Sequence, residues 1–281
     1  MITLVPGGGL ANRMRAIDSA YQLSQKQNQE LLVIWIKNSE LNCSFNDIFE
    51  DTPFFKVKKF SPFNFYAYPN HLQKKSIFIK QIVKWQRHKM FDSILLNEEI
   101  HKNLYIDKKE IIIENNYSNL FIDTCERFIE GSNLFKLFKP QKKIRNKIED
   151  ILREFNDNTI GLHIRRTDNV SAIKSSPIDF FIKEMANELK LQKHTKFFLS
   201  TDDKTIKTKL VNSYQNLIIT RNIKYSRKSK QGIIDALIDF ILLSKTKKII
   251  GSDFSSFSLE AAHIGKIELI TPRSEKNRIL F

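Results

Sequence analysis

Cysteine is nearly absent from this sequence. Cys43 and Cys125 stand alone, far apart, in no metal or redox spacing. That excludes a disulfide-stapled scaffold and a cysteine-rich zinc module, and leaves two free thiols in a reducing compartment as the simplest reading. Long apolar runs are missing as well: no stretch approaches the roughly 20 residues needed to span a bilayer. Met1 leads straight into Ile2-Thr3-Leu4-Val5, without the basic start, long apolar segment and cleavage signal of a leader peptide. A soluble, cytoplasmic protein is expected. Acidic residues are few, 31 Asp and Glu against 46 Lys and Arg, for a formal net charge of +15. This excess favours anionic partners: nucleic acid, an acidic membrane surface or phosphorylated small molecules. Zinc-finger spacing, aromatic RNP-like motifs and basic-region heptads are all lacking, so nothing beyond charge speaks for nucleic acid and none is expected as a partner. Scattered lysine also fits a simply solvated surface.

What is present is globular. Hydrophobic residues make up 41% of 281 positions, enough for a large core and for two domains of ordinary size. The stretch that organises the chain is Thr159-Ile160-Gly161-Leu162-His163-Ile164-Arg165-Arg166-Thr167-Asp168-Asn169. Ile160, Leu162 and Ile164 alternate with Gly161, His163 and Arg165, as the two faces of a strand do, and Thr167-Asp168-Asn169 reads as the turn that leaves it. Two arginines at a strand's carboxyl end sit where open α/β sheets collect ligands. Their planar forks suit a phosphate or diphosphate. An arginine pair neutralised by a local carboxylate such as Asp168 is the structural alternative.

In chain order, strand Ile2 to Val5 runs through Pro6-Gly7-Gly8-Gly9-Leu10-Ala11-Asn12-Arg13 into a helix reaching about Asn28. Three glycines at a strand-to-helix turn allow close backbone approach to a ligand, and the helix N-terminus favours anions. The spacing is neither GxGxxG nor a Walker A loop. Leu31 to Ile36 reads as a strand buried on both faces. From about Asn38 to Lys109 the pattern loosens. Phe45, Ile48 and Phe49 suggest a small helix, and Pro53, Pro62 and Pro69 suggest loops. Ser76 to Phe91 reads as a helix carrying Ile77, Ile82, Val83 and Trp85 among Lys75, Lys80, Lys84, Arg87 and Lys89. It suits an ordinary domain surface or an anionic membrane. Ile111 to Ile113 and Leu120 to Ile122 read as strands, and Pro140 opens a charged helix through Phe155 that joins two domains, 1–140 and 141–281.

The second half alternates more cleanly. Pro177 starts a helix, Lys196 to Leu199 is a strand ending in Ser200-Thr201-Asp202-Asp203, and Leu217 to Ile219 is another. Gln231 to Ser244 is a strongly apolar helix, and Ile249-Ile250 leads to Gly251-Ser252-Asp253-Phe254-Ser255-Ser256-Phe257-Ser258. The rhythm argues an α/β fold of parallel, doubly wound sheets, in two halves with a cleft between them. Polar residues at three strand ends converge on a nucleotide, with arginines for diphosphate, Asp for base or ribose, and serines and helix N-terminal amides for phosphate. Each has a structural alternative: Ser255 or Ser256 as an N-cap, Asp202 and Asp203 as caps of the next helix.

Gly8-Gly9-Leu10-Ala11-Asn12-Arg13, His163-Ile164-Arg165-Arg166-Thr167-Asp168 and the stretch from Gly232 to Ala262 resemble the fucosyltransferase superfamily with the HxRRxD motif, on its α-1,6/NodZ side. The resemblance covers the C-terminal half and the first β-α unit. It implies a GT-B-like fold of two Rossmann-like domains with a cleft between them, the N-terminal one on the acceptor side and the C-terminal one binding the donor. It further implies an inverting glycosyltransferase that needs no cofactor or divalent metal and uses the nucleotide sugar GDP-fucose. Carried over by motif, Arg165 grips the β-phosphate, Arg166 assists, His163 and Asp202 or Asp203 recognise guanosine, and Ser226, Ser255 and Ser256 lie near the nucleotide. Gly8, Gly9, Asn12 and Arg13 face the cleft from the other domain.

Two departures stand out. The residues after the motif, Val170-Ser171-Ala172-Ile173-Lys174, contain no carboxylate to act as base, which leaves Asp168 or an N-terminal carboxylate such as Asp18. Region 38 to 130, where an acceptor would bind, is short and divergent. An oligosaccharide or glycolipid acceptor of surface-polysaccharide assembly fits a basic, membrane-touching enzyme. Another nucleotide sugar, or a basic nucleic-acid-binding protein whose arginines contact phosphates, are the competing readings.

Overall fold

The structure is a computed structural model that describes residues 1–68, 76–109, 111, 113, 117–131, 134–167, 170–223 and 226–273. It divides into two compact units: Met1–Gln141 with Arg227–Lys230, and Lys142–Ser226 with the chain from Gln231 onward. Each is built on a five-stranded parallel sheet.

The first unit opens with β1 (Ile2–Pro6), wholly buried, then α1 (Leu10–Lys26) and β2 (Leu31–Trp35). Next come α2 (Phe45–Ile48), β3 (Lys56–Lys59), α3 (Ile77–Met90), β4 (Ser93–Leu96), α4 (Asn97–His101), β5 (Leu120–Thr124) and α5 (Leu134–Leu137). Strand order is β3-β2-β1-β5-β4, every neighbouring pair parallel. Parallel strands covered on both faces explain why β1 and β2 are almost uninterrupted apolar runs. Phe45, Phe49, Phe55 and Phe138 pack edge-on or tilted beyond them, with ring centroids 5.1–5.9 Å apart. Such aromatic pairs bury large areas at favourable ring angles.

Three features of this unit differ from expectation. Ile111 and Ile113 are in no strand, and Ile112 lies outside the described residues. The sheet instead recruits β3, an edge strand of sequence Lys-Val-Lys-Lys whose lysines are exposed, and β4. Charge on an edge strand is a common guard against edge-to-edge pairing. Arg87, expected on the surface, is buried. Its Nε donates to Tyr66 O at 2.8 Å, its Nη2 reaches Tyr68 O and Asp123 Oδ2, and its guanidinium lies 4.3 Å from the Phe121 ring. It is the anchor of α3.

The second unit runs α6 (Lys142–Leu152), β6 (Thr159–Ile164), α7 (Val170–Ser175), α8 (Ile178–Leu191), β7 (Lys196–Thr201), α9 (Lys204–Tyr214), β8 (Ile218–Thr220), α10 (Lys230–Ser244), β9 (Lys248–Gly251), α11 (Ser256–Gly265) and β10 (Glu268–Ile270). Strand order is β10-β9-β6-β7-β8, again all parallel. The alternation in β6 meets two different layers. Ile160, Leu162 and Ile164 join Phe181 and Met185 of α8 in one core cluster. On the other face, a Cβ added at Gly161 would stand 2.9 Å from the Leu243 side chain and 3.0 Å from Thr246 Oγ1, so glycine lets these side chains pack close to the strand.

Candidate active site

In the second sheet the chain leaves β6 toward β7 on one side and occupies β9 and β10 on the other. The carboxyl ends of β6 and β9 therefore flank the point where strand order reverses, which in open α/β sheets is the ligand crevice. The residues there form a tightly connected turn. Ser252 N donates to His163 O at 2.9 Å, and Arg165 N donates to Ser252 Oγ at 3.0 Å, which locks the two strand ends together. Asp253 N donates to Ser176 Oγ, and Asp253 Oδ1 accepts from Arg273 Nη2 at 2.8 Å and from Phe254 N. Phe254 is exposed and held at φ 51°, a left-handed conformation that a bulky residue adopts at a cost.

His163 is buried with its ring 5.0 Å from that of Phe257. Burial first, and the charge of Arg165 second, push its pKa down to about 4, against an opposing pull from Asp202. The imidazole is neutral at pH 7. Its Nδ1 has no hydrogen-bond partner among the described residues, and neither has Ser255 Oγ, also buried, at the start of α11. Ser255 is the N-cap residue of that helix but its side chain caps nothing. Ser256, half-buried, is the first residue of the helix. His163, Arg165, Ser252 and Ser255 are thus gathered at one strand-end crevice.

Arg166 is committed differently. Its guanidinium donates to Ser176 O at 2.6 Å and Ile173 O at 3.4 Å, and lies 5.9 Å from the Phe181 ring. Burial lowers its pKa, with Asp203 and Asp202 opposing. Its backbone N donates to Asp202 Oδ1 at 2.7 Å, and Thr167 donates from N and Oγ1 to Asp202 Oδ2. Asp202 therefore ties the loop after β6 to the end of β7. Asp203 caps α9, accepting from Thr205 N at 2.7 Å and Ile206 N at 3.0 Å. Ser226 has its backbone pressed against Gly232, where an added Cβ would meet Ser226 O at 2.1 Å. Asp168 lies outside the described residues.

The first unit holds the other predicted positions in the turn between β1 and α1. Gly8 has φ 73°, and its N–H donates to Glu40 Oε2 at 3.3 Å. Gly9 is the N-cap residue of α1. Asn12 Oδ1 is buried without a partner among the described residues. Arg13 departs from expectation. It is wholly buried, donating from Nε to Gly8 O (2.9 Å), from Nη1 to Ile36 O (2.5 Å) and from Nη2 to Asn38 Oδ1 (3.0 Å), with Trp35 5.0 Å away. Its burial brings its pKa down to about 10. The guanidinium ties the loops after β1 and β2 together. Asp18 is also wholly buried and paired with Arg127 at 2.8 Å, which removes it as a base for an incoming hydroxyl.

Two polar clusters escaped the sequence reading. Arg221, just after β8, bridges Asp235 (2.5 Å) and Asp239 (2.7 Å) of α10, both buried. Two aspartates four apart inside an apolar helix were the available signal, since buried charges require partners. In the first unit, Glu126 takes Arg15 at 2.6 Å and Tyr105 Oη at 3.2 Å, with His101 Nδ1 at 3.5 Å. Among the described residues no group of three or more His, Cys, Asp and Glu is placed to hold a metal ion.

No protein-family model and no curated protein matches the chain. Solved structures do. NodZ α-1,6-fucosyltransferase, in a crystal soaked with GDP-fucose, superposes with a TM-score of 0.63 at 17% identity, over 94% of this chain and 92% of that one; a NodZ structure from Bradyrhizobium gives 0.61 at 17% identity, over 92% and 91%. A variant of Arabidopsis thaliana FUT1 in complex with GDP matches with 0.60 at 16% identity, over 98% of this chain and 71% of the other. POFUT1 in complex with GDP matches with 0.56 at 9% identity, over 96% and 97%. At these identities the likeness establishes the fold: this chain has the two-sheet, GT-B-like architecture of those fucosyltransferases.

Proposed function

We propose that the chain is an inverting, metal-independent glycosyltransferase that transfers fucose from GDP-fucose to an oligosaccharide or glycolipid acceptor, working in peripheral contact with an anionic membrane. The observation that carries the donor reading is the pair of buried atoms, His163 Nδ1 and Ser255 Oγ, without a hydrogen-bond partner among the described residues, beside Arg165 at the β6/β9 strand ends. Buried polar atoms are nearly always hydrogen-bonded. Two such atoms next to a guanidinium and a helix N-terminus suit a ligand with several polar groups and negative charge, as a nucleoside diphosphate is. That GDP or GDP-fucose accompanies proteins of the same fold supports the same choice.

In this reading an acceptor hydroxyl attacks the anomeric carbon from the face opposite GDP. The bond from that carbon to the diphosphate oxygen breaks, and GDP leaves with its electron pair. Negative charge develops on the β-phosphate, and the Arg165 guanidinium, set by the Ser252 bond to its backbone, stabilises it without reorganising. Arg166 is a positioning residue, because its guanidinium donates from both Nη atoms to Ile173 O and Ser176 O of the adjoining loop. Asp202 holds the same loop from the β7 side. The first unit receives the acceptor. Asp168, the carboxylate next to the arginines in sequence, takes the acceptor's proton.

The test is donor binding and hydrolysis across GDP-fucose, GDP-mannose and UDP-glucose, with and without chelator, for wild type and Arg165→Ala. Tight GDP-fucose binding and chelator-insensitive turnover, both lost in the variant, are expected. Preference for another nucleotide sugar discards fucose while keeping the site, since a guanidinium reads the diphosphate and not the sugar. Binding to no nucleotide overturns the reading.

A further inference from the structure

The outward face of α3 has no role in the donor site. Ser76 Oγ caps the helix by accepting from Ile79 N, and Val83 and Arg87 fasten its inner face to the sheet. Its outer face should then be polar, as on an ordinary surface helix. It is not: Ile77, Phe78 and Trp85 are 80%, 71% and 61% exposed. Phe78 and Trp85, seven residues apart, share one line along the helix. Exposed Lys84 and Lys89 neighbour Trp85 on this face, and the Lys89 ammonium lies 5.1 Å from the Trp85 ring. The helix contains no aspartate or glutamate.

We infer that this face docks on an anionic lipid surface, with Phe78 and Trp85 entering the headgroup boundary and Lys84 and Lys89 meeting lipid phosphates. An apolar line bordered by cations is the pattern of interfacial helices, in which buried apolar area and attraction to anionic lipid add. Charge decides against a second copy of this chain. A two-fold contact through the same face brings Lys84 and Lys89 against their own counterparts with no acid on the helix to meet them. A single-stranded nucleic acid would use the rings and cations by stacking and phosphate contact but gain nothing from exposed, aliphatic Ile77, which favours the lipid surface. The inference rests on the reading above only for its purpose, which is to bring the enzyme to a lipid-borne acceptor. Its physics is independent of the donor.

The full chain carries its own probe. Of two tryptophans, Trp35 is buried and Trp85 exposed, so a change in tryptophan emission reports the helix. Vesicles of phosphatidylglycerol and phosphatidylcholine, but not of phosphatidylcholine alone, are expected to shift the emission to the blue and to sediment the protein, the more weakly the higher the salt. Each of Lys84→Gln and Lys89→Gln should weaken binding about fivefold, and the double variant roughly 25-fold. Phe78→Ser should weaken it roughly tenfold. Unchanged melting temperature and GDP binding in these variants establish that the fold and donor site are intact. Vesicle binding that is equal in wild type and double variant overturns the inference. So does binding to single-stranded nucleic acid, or self-association, that the same lysines control in place of vesicle binding.

Discussion

Lowering the pH from 6.5 to 4 interrogates His163. In the folded chain its imidazole is buried beside Phe257 and Arg165, and its pKa is pushed down to about 4. In the unfolded chain it regains the ordinary value near 6.5. Between those values the unfolded state binds more protons than the native one, so stability falls as pH drops through the window, and the loss is complete below pH 4. At about 1.4 kcal/mol per unit, the loss from this one group is about 3 kcal/mol. Carboxylates titrate in the same range, so the informative quantity is a difference. His163→Phe keeps a ring against Phe257 and cannot titrate. Urea unfolding of both proteins from pH 7.5 to 4 should give a constant difference above pH 7 that moves toward the variant by about 3 kcal/mol at the acid end. A difference that stays flat throughout refutes the claim that the imidazole is held neutral. Nucleotide affinity supplies a cross-check: the folded form stays uncharged at His163 across most of the window, so that residue imposes no pH dependence on binding between pH 7 and 5.

Two further predictions separate structural from ligand-facing charge. Arg13→Met strands three acceptors in the loops after β1 and β2 and should cost about 3 kcal/mol, read by urea unfolding, while GDP affinity of the folded fraction stays within twofold; the reverse pattern makes Arg13 a ligand contact. Arg221→Met removes the guanidinium that pairs buried Asp235 and Asp239 and should cost about 3–5 kcal/mol, most of it recovered when Asp235→Leu and Asp239→Leu are added, as a multiple-mutant cycle would measure.

The pattern of β6 was legible because it obeys one rule in two directions: Ile160, Leu162 and Ile164 fill the core against α8, while Gly161 and His163 accommodate α10 and α11. The parallel α/β architecture followed from that alternation of strands and helices. Strands β3 and β4 were illegible for a physical reason. Lys-Val-Lys-Lys has no strand propensity of its own and becomes a strand only because β2 offers it unpaired backbone, and Ser-Ile-Leu-Leu runs directly from one helix toward another.

At the site, residue type was easier to read than residue role. Asp202 and Asp203 are adjacent and chemically identical, yet one accepts N–H groups from the arginine loop and the other caps α9. Arg166, beside Arg165, gives its guanidinium to Ile173 O and Ser176 O of its own loop. A carboxylate or guanidinium at a strand end does the same chemistry toward a ligand as toward a neighbouring loop. Which of the two it meets is set by the direction of a single Cα–Cβ bond, and that direction changes with every step along the chain. The proposed donor site is consequently best tested where the sequence was least ambiguous, at Arg165, and its surroundings at His163, whose buried neutrality only the fold reveals.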